Sequence, residues 1–133
     1  MREILFRGKQ EYSGEWIFGS LHIEDGETDK NGNKSIDYRI LGMRGECDYV
    51  IPETVGQFTG LTDKNGKRIF EGDIIKHDFG EDQIGVQYAV VEYSDKYAAF
   101  LIKPLYDWMF CDKSDCEVIG NIHDNPELTE RRM

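Results

Sequence analysis

Two cysteines and a histidine near the carboxyl end are of the residue types that bind structural zinc. Cys111 and Cys116 are separated by four residues, and His123 follows seven positions after Cys116. A structural zinc site usually shows two close pairs of ligands, whereas a fourth ligand here would have to come from a distant residue such as Cys47 or His77. The sequence therefore favours reduced, partly buried thiols and predicts no metal site, with zinc bound by Cys111, Cys116 and His123 as the alternative.

A cysteine nucleophile activated by a histidine is the other chemistry that these residue types allow. Cys47 would have to be joined by His22, His77 or His123 from distant parts of the chain. No local motif brings a thiol and an imidazole together, and a histidine at the end of a strand is usually solvated. The sequence therefore predicts no catalytic residue and no cofactor.

Oxygen ligands at alternating positions raise the question of calcium. Asp29, Asn31 and Asn33 are spaced like the first half of an EF-hand loop, which requires glycine at its sixth position and a bidentate glutamate at its twelfth. Those two positions are occupied by Lys34 and Ile40. We therefore interpret this segment as a turn and not as a calcium site.

The sequence Asp-Lys-Asn-Gly occurs twice, at residues 29–32 and 63–66. Asparagine followed by glycine tolerates positive φ at both positions, so the second copy predicts a two-residue type I′ hairpin turn. The residues that flank the two copies do not match, which argues against an internal duplication. The first copy is predicted to form the tip of a long exposed hairpin that reaches from Gly26 to Ser35.

Short stretches rich in β-branched and aromatic residues recur along the chain, separated by glycine, and they predict strands. They cover residues 4–7, 15–23, 35–41, 58–61, 69–70, 73–77, 85–93, 98–103 and 117–122. Residues 52–57 and 105–111 begin with or follow proline and predict single helical turns, while the tail after Pro126 predicts a short helical turn or a frayed end. The pattern predicts a mainly β fold, either all-β or β-rich α+β.

The predicted strands fit a single compact unit with two possible subdomains. Residues 1–50 would form N-terminal β-hairpins, residues 51–125 an SH3-like barrel, and residues 126–133 a tail. The barrel is placed from Val55 to Ile122 because an apolar pair directly after a Gly-Asp turn is how such small barrels often begin a strand. At 133 residues the chain is long enough for one core or for two small subdomains.

Four segments follow one another in an order that characterises a known family. They are the opening MREILFRGK, the GEWIFG of residues 14–19, the central run from Val55 to Ile75, and the EVIGNIHDNPEL of residues 117–128. In these segments the chain resembles the YopX family of phage and prophage proteins. The resemblance implies a phage-derived protein in the cytoplasm of a bacterial host, and it implies no activity.

The charge of the chain opposes binding to nucleic acids and membranes. Lys and Arg number 16 against 26 Asp and Glu, which gives a net charge of −10. A DNA-binding protein gains affinity by neutralising phosphates, and anionic lipids repel an acidic chain.

Three further features of the sequence predict the compartment. No apolar run approaches the roughly 18–20 residues of a membrane helix. The N-terminus lacks the apolar stretch of a signal peptide, and three cysteines do not suit a disulfide framework. We expect a cytoplasmic protein with no nucleic-acid or membrane partner.

Aromatic side chains are concentrated in residues 88–110. About half of the rings on alternating strands should face a core, and rings that remain outside favour a protein interface. The candidate partner surface consists of Tyr97, Tyr106, Trp108 and Phe110, and it motivates the prediction of a homo-oligomer. Such rings can also stack on single-stranded nucleic acid, which the net charge opposes.

The leading functional hypothesis is a non-enzymatic protein-binding or assembly module with a host or phage protein as partner. It follows from clear fold signals, a clustered aromatic segment and the lack of a catalytic constellation. The first alternative is an acidic DNA mimic that inhibits a host DNA-binding protein, which requires carboxylates in two rows. The second is a small metal-dependent hydrolase or nuclease, which requires carboxylates that converge in a pocket.

Overall fold

The computed structural model describes residues 2–78, 85–103 and 116–132, and in these ranges the chain is mainly β. The elements are β1 (Phe6–Lys9), β2 (Trp16–Thr28), β3 (Lys34–Gly42), β4 (Cys47–Tyr49), β5 (Gly56–Thr62), β6 (Arg68–Phe70), β7 (Asp73–Asp78), β8 (Val86–Ser94), β9 (Ala99–Lys103), β10 (Cys116–Asn121) and α1 (Pro126–Arg132), with a short 3-10 turn at Pro52–Thr54. The predicted mainly β fold is confirmed, as are the helical turn within residues 52–57 and the helical tail. The helical turn predicted for residues 105–111 lies outside the described residues.

The chain divides into two compact units, Met1–Gln57 and Phe58–Met133. In the first unit, antiparallel strands follow one another in the order β4-β3-β2-β1-β5, with β5 represented by its first two residues. The core of this unit contains the buried residues Ile17, Ile40 and Val50. Around them pack the partly buried side chains of Phe6, Leu21, Tyr38 and Val55. Strand β4 was not predicted, because Tyr49 is the one residue of high β-propensity in Cys47–Tyr49.

Strands β2 and β3 approach each other closely at Gly19. An added Cβ at Gly19 would lie 1.9 Å from the carbonyl oxygen of Leu41, which is backbone and cannot rotate away. Beyond this point the two strands continue as a hairpin whose side chains are exposed or half-buried from Glu24 to Asp37. The long exposed hairpin with an Asp-Lys-Asn-Gly tip is therefore confirmed.

The second unit contains an antiparallel sheet in the order β10-β7-β8-β9. Its core is formed by buried side chains of β6 to β10, namely Ile69, Ile75, Ala89, Val91, Ile102, Cys116 and Val118. The SH3-like barrel predicted for this part of the chain is not confirmed, because the sheet is not closed. In the described ranges β9 pairs with β8 and β10 pairs with β7, and no ladder joins these two outer strands.

The type I′ turn predicted for Asn65-Gly66 is wrong. Gly66 has a φ of +81°, but Ala98 is the one non-glycine residue with positive φ among those described, so Asn65 is not left-handed. The amide of Gly66 donates to the carbonyl oxygen of Asp63, and the amide of Asp63 donates to that of Lys67. This is a three-residue loop that ends in a left-handed glycine, the next most common way to close a hairpin.

The other Asp-Lys-Asn-Gly copy closes in the same way. Gly32 has a φ of +83°, and its amide donates to the carbonyl oxygen of Asp29. In each copy one oxygen of the aspartate side chain accepts two amides of its own loop: those of Asn31 and Asn33 on Asp29, and those of Asn65 and Lys67 on Asp63. The two copies therefore share local turn chemistry, as predicted.

The second copy differs from the first because its carboxylate is buried. Asp63 is 4% exposed, and its second oxygen, Oδ2, accepts the amide of Val118 in β10 at 3.0 Å. The amide of Lys64 also donates to the carbonyl oxygen of Cys116. Burial raises the pKa of Asp63, but the hydrogen bonds from the amides of Val118, Lys67 and Asn65 outweigh it, so the pKa is lowered below its ordinary value. A turn of the β5–β6 hairpin is thereby attached to β10.

The reversal predicted at Glu71-Gly72-Asp73 is confirmed. Gly72 has a φ of +89°, and the buried carboxylate of Asp73 accepts the amide of Phe70 at 2.7 Å. The chain then enters β7, where Ile74 and Ile75 are both 1% exposed. In the part of the chain that the structure describes, no helix is long and apolar enough to cross a membrane.

Candidate functional site

One cysteine of the alternative zinc site is buried. Cys116 is 1% exposed and lies opposite His77 across the β10–β7 ladder. Burial, and then the nearby carboxylates of Asp63 and Asp73, raise the pKa of the Cys116 thiol to about 12. A metal binds the thiolate, so a metal at this position would have to displace the thiol proton against this shift. Cys111, which was to complete the pair, lies outside the described residues.

The remaining candidates for metal binding or catalysis lie apart. Cys47 is exposed on β4, His22 is exposed on β2 and 3.3 Å from a carboxylate oxygen of Glu24, and His123 is half-buried in the turn before α1. Within residues 2–78, 85–103 and 116–132, no three His, Cys, Asp or Glu side chains converge as a metal site would require.

The predicted partner surface is described at one of its four positions. Tyr97 is 50% exposed in the turn between β8 and β9, with the ammonium of Lys96 5.1 Å from its ring centroid. Tyr106, Trp108 and Phe110 lie outside the described residues, so this surface stays a prediction. Nearby, Tyr93 remains 45% exposed while Phe100 packs against the core, and their rings meet edge-on at 5.3 Å.

A second and more complete exposed surface lies on the first unit. Directly opposed residues of antiparallel strands project to the same side of a sheet, and residues two apart along a strand do so as well. Leu21 opposes Ile40, and Phe6 opposes Gly19, so these positions share the core side with Ile17. The other side of the sheet formed by β1 to β4 is called the outer face.

The pairing register arranges the outer face into five rows that run across the strands. Row 1 is Lys9–Trp16, row 2 is Arg7–Phe18–Met43, row 3 is Ser20–Leu41–Cys47, row 4 is His22–Arg39–Tyr49 and row 5 is Glu24–Asp37. Met43 follows the end of β3 and belongs to row 2 because its amide donates to the carbonyl oxygen of Phe18. Successive rows are about 7 Å apart, so the face is roughly 27 Å long.

Four large apolar side chains on the outer face are exposed, and they form what is called the apolar patch. Phe18 is 39% exposed, Leu41 51%, Met43 66% and Tyr49 44%. Taking about 200 Å² for each such side chain when fully exposed, roughly 400 Å² of the patch remains at the surface. The largest patch of a typical monomer is ~300–600 Å² and is often functional. Rows 2, 3 and 4, which are neighbours on one side of the sheet, supply this area.

Charged groups are placed at the ends of the outer face. The guanidinium of Arg7 lies 4.6 Å from the ring centroid of Trp16, and the ammonium of Lys9 lies 5.6 Å from the same centroid. At the other end, Glu24 and Asp37 are directly opposed, an arrangement in which like charges destabilise a strand pair. Arg39 forms an ion pair with Glu24 and lies 5.5 Å from the ring of Tyr49. Among the residues that reach the surface, the face is thus basic at row 1 and acidic at row 5, with the apolar patch between them and Arg39 beside it, whereas Arg7 of row 2 is buried.

Sequence reasoning missed the outer face, although β2 carries a signal for it. A strand with one solvated side alternates apolar and polar residues. Trp16, Ile17 and Phe18 are consecutive large apolar residues, and Ile17 enters the core while Phe18 points to the outer face. Consecutive apolar residues in a strand indicate that both sides can be covered. Leu41 and Tyr49 could be placed beside Phe18 only with the pairing register of β3 and β4.

These features describe a small, mainly β protein with an exposed apolar patch on one side of a sheet. A family profile described as YopX protein matches residues 5–130. The chain belongs to the YopX protein family, which confirms the resemblance seen in the sequence. The crystal structure of protein EF1440 from Enterococcus faecalis is similar, with a TM-score of 0.56 and 27% sequence identity over 96% of this chain and 99% of that one. None of the curated proteins compared with the chain matches it.

Proposed function

We propose that the chain is a non-enzymatic protein-binding or assembly module whose binding surface includes the outer face of β1 to β4. The observation that carries this proposal is the apolar patch, in which Phe18, Leu41, Met43 and Tyr49 are each at least 39% exposed on one side of a sheet. Exposed apolar surface of this extent, bordered by charged residues, is characteristic of protein interaction sites.

The composition of the patch suits recognition of a protein. Aromatic residues, methionine and arginine are enriched in the centre of protein interfaces, and charged residues are concentrated at the rim. Phe18 and Tyr49 supply rings, Met43 supplies a flexible thioether that adapts to an irregular partner, and Arg39 supplies a planar cation beside Tyr49. A phage or prophage protein acting in the bacterial cytoplasm would bind a host or phage protein through this surface.

A crosslinking experiment tests the proposal. The photoreactive amino acid p-benzoylphenylalanine is placed at Tyr49 on the outer face and, as a matched control, at Tyr12, which is 96% exposed in the β1–β2 turn. The two proteins are irradiated in the bacterial cells that produce them. We expect a protein adduct from position 49, to this chain or to another protein, and none from position 12. Equal or absent adducts at the two positions would contradict the proposal.

The acidic DNA mimic and the metal-dependent hydrolase stay hypotheses. Row 5 places only two carboxylates side by side, and one of them is paired with Arg39. No feature of the described residues favours either function over protein binding.

A further inference from the structure

We propose that the occupant of the outer face is a second copy of this chain, packed face to face about a two-fold axis that runs along row 3. This inference rests on the proposed function and names its partner. The basis is the order of the five rows: when a second outer face is laid on the first with its rows in the reverse order, the rows that meet are complementary.

A two-fold axis that lies between two facing sheets, parallel to row 3, exchanges the rows in a fixed way. Row 1 of one copy meets row 5 of the other, row 2 meets row 4, and row 3 meets row 3. The two sheets pack about 10 Å apart, the usual spacing of face-to-face sheets. Such an interface is isologous, so each favourable contact away from the axis occurs twice.

The meeting of row 1 with row 5 brings opposite charges together. Row 5 carries Glu24 and Asp37, and Arg39 neutralises only one carboxylate of this directly opposed pair. Row 1 carries Lys9 beside Trp16. The turn that follows Met43 adds the exposed Arg44 near the same end of the face. A second copy therefore supplies positive charge where the first has two adjacent carboxylates.

The meeting of row 2 with row 4 is apolar and aromatic. Phe18 and Met43 of one copy face His22, Arg39 and Tyr49 of the other. Arg7, the third member of row 2, is only 7% exposed and adds little to the surface. A guanidinium over an aromatic ring and a thioether beside one are both favourable contacts. At the axis, Leu41 meets Leu41, flanked by the smaller side chains of Ser20 and Cys47, which let the two sheets approach.

The area available fits a weak and reversible dimer. Burying the apolar patch of both copies removes roughly 800 Å² from water, and the charged ends bring the total to about 1,200 Å², the lower limit of specific interfaces. Each copy carries a net charge of −10, so long-range repulsion opposes association until salt screens it. An interface of this size belongs to weak complexes, so we expect a dissociation constant in the micromolar range that falls as salt is raised from about 20 to about 200 mM.

Analytical ultracentrifugation of the purified chain, from about 5 to about 200 µM, tests the dimer at concentrations that bracket this affinity. Leu41→Glu should weaken association at least ~100-fold, because it places two carboxylates in the centre of the interface. Ile36→Glu is the matched control, since Ile36 is a 57% exposed aliphatic residue of the same strand that projects to the opposite side. It should leave the dissociation constant unchanged. Melting curves of both variants establish that they fold.

A thiol crosslink tests the register. The two Cys47 side chains lie together in row 3, so a bismaleimide of roughly 8 Å should join two chains across sheets that are about 10 Å apart. Cys111→Ser removes a second source of thiol, and moving the thiol by Cys47→Ser and Tyr12→Cys is the control that should not crosslink. A dimer that persists in Leu41→Glu, or one that Cys47 does not crosslink, would overturn the inference.

The outcomes separate the inference from the proposed function. If the purified chain remains a monomer at about 200 µM, well above the affinity expected for such an interface, the two-fold assembly is wrong. The proposed function still holds in that case if the crosslinker at Tyr49 captures a different protein. If position 49 captures nothing, both are wrong.

Discussion

Replacing Asp63 by asparagine should destabilise the second unit, whereas the same change at Asp29 should not. The two aspartates occupy the first position of identical Asp-Lys-Asn-Gly turns, and each accepts two loop amides through one oxygen. They differ in the second oxygen, which in Asp63 accepts the amide of Val118 at 3.0 Å. The pair therefore isolates a buried contact to β10 from the turn chemistry that surrounds it.

The size of the effect follows from the bonds that Asp63→Asn changes. The amide oxygen of asparagine still accepts from Asn65 and Lys67, but its NH2 group faces the amide of Val118, which is 8% exposed. A buried donor left without an acceptor costs about 1–3 kcal/mol, and two bonds to a charged acceptor become weaker neutral ones. Relief of the carboxylate's desolvation offsets part of this loss. The expected decrease in the free energy of unfolding is about 2–3 kcal/mol, a fall in Tm of roughly 6–15 °C.

Urea denaturation followed by far-UV circular dichroism measures the change, and hydrogen exchange locates it. The Val118 amide should lose protection in Asp63→Asn and keep it in Asp29→Asn, whose midpoint should match that of the parent protein. Equal midpoints for the two variants, or unchanged protection of Val118, would refute the reasoning that the buried carboxylate attaches the β5–β6 turn to β10.

Three further predictions concern pH, glycine packing and thiol reactivity. The folded-state pKa of Asp63 is lowered, so the stabilisation by its carboxylate is complete above the unfolded-state pKa of about 4 and is lost as pH falls through the folded-state value. The difference in unfolding free energy between the parent protein and Asp63→Asn should therefore be constant near neutrality and shrink below about pH 4. A difference that grows on acidification would contradict this prediction. Gly19→Ala should lower Tm by more than about 6 °C, because the added Cβ would overlap the carbonyl of Leu41. Gly26→Ala on the same strand should lower Tm by less, because its Cβ would meet mainly the side chains of Ser35 and Asp37, which can move. With Cys47 and Cys111 changed to serine, the remaining thiol of Cys116 should not react with an aromatic disulfide reagent at about pH 8 until the protein is unfolded; rapid labelling of the native protein would show that this thiol is accessible.

The elements could be predicted because their signals are local. Alternating β-branched and aromatic residues between glycines were enough to find nine of the ten strands in the described residues. The turn at Asp63 was placed correctly but given the wrong type. Asn-Gly is compatible with two loop lengths, and the choice was made by the Asp63 side chain, which accepts the amides of Asn65 and Lys67 and holds the three-residue form. Such side-chain acceptance is a common property of aspartate in turns.

Arrangements that depend on pairing between distant residues could not be predicted. The open sheet of the second unit differs from the expected barrel because closure requires a ladder between strands far apart in sequence, and no local pattern specifies one. The outer face of the first unit could not be predicted for the same reason. Phe18, Leu41 and Tyr49 are separated by 23 and 8 positions in the sequence, and only the registers of β2, β3 and β4 bring them together. The local density of aromatic residues placed the predicted partner surface within residues 97–110 instead.

The two Asp-Lys-Asn-Gly turns place the same four residues under unequal evolutionary constraint. At the hairpin tip, Asn or Ser can replace Asp29 because either supplies an oxygen to the loop amides. At Asp63 a neutral residue loses the bond to Val118. Across related sequences of the family, the tip should therefore vary in sequence and length, whereas Asp63 should be retained, because the backbone amide of Val118 needs its second oxygen as acceptor. The hairpin tip is also the position at which the protein should tolerate an inserted tag without losing its fold.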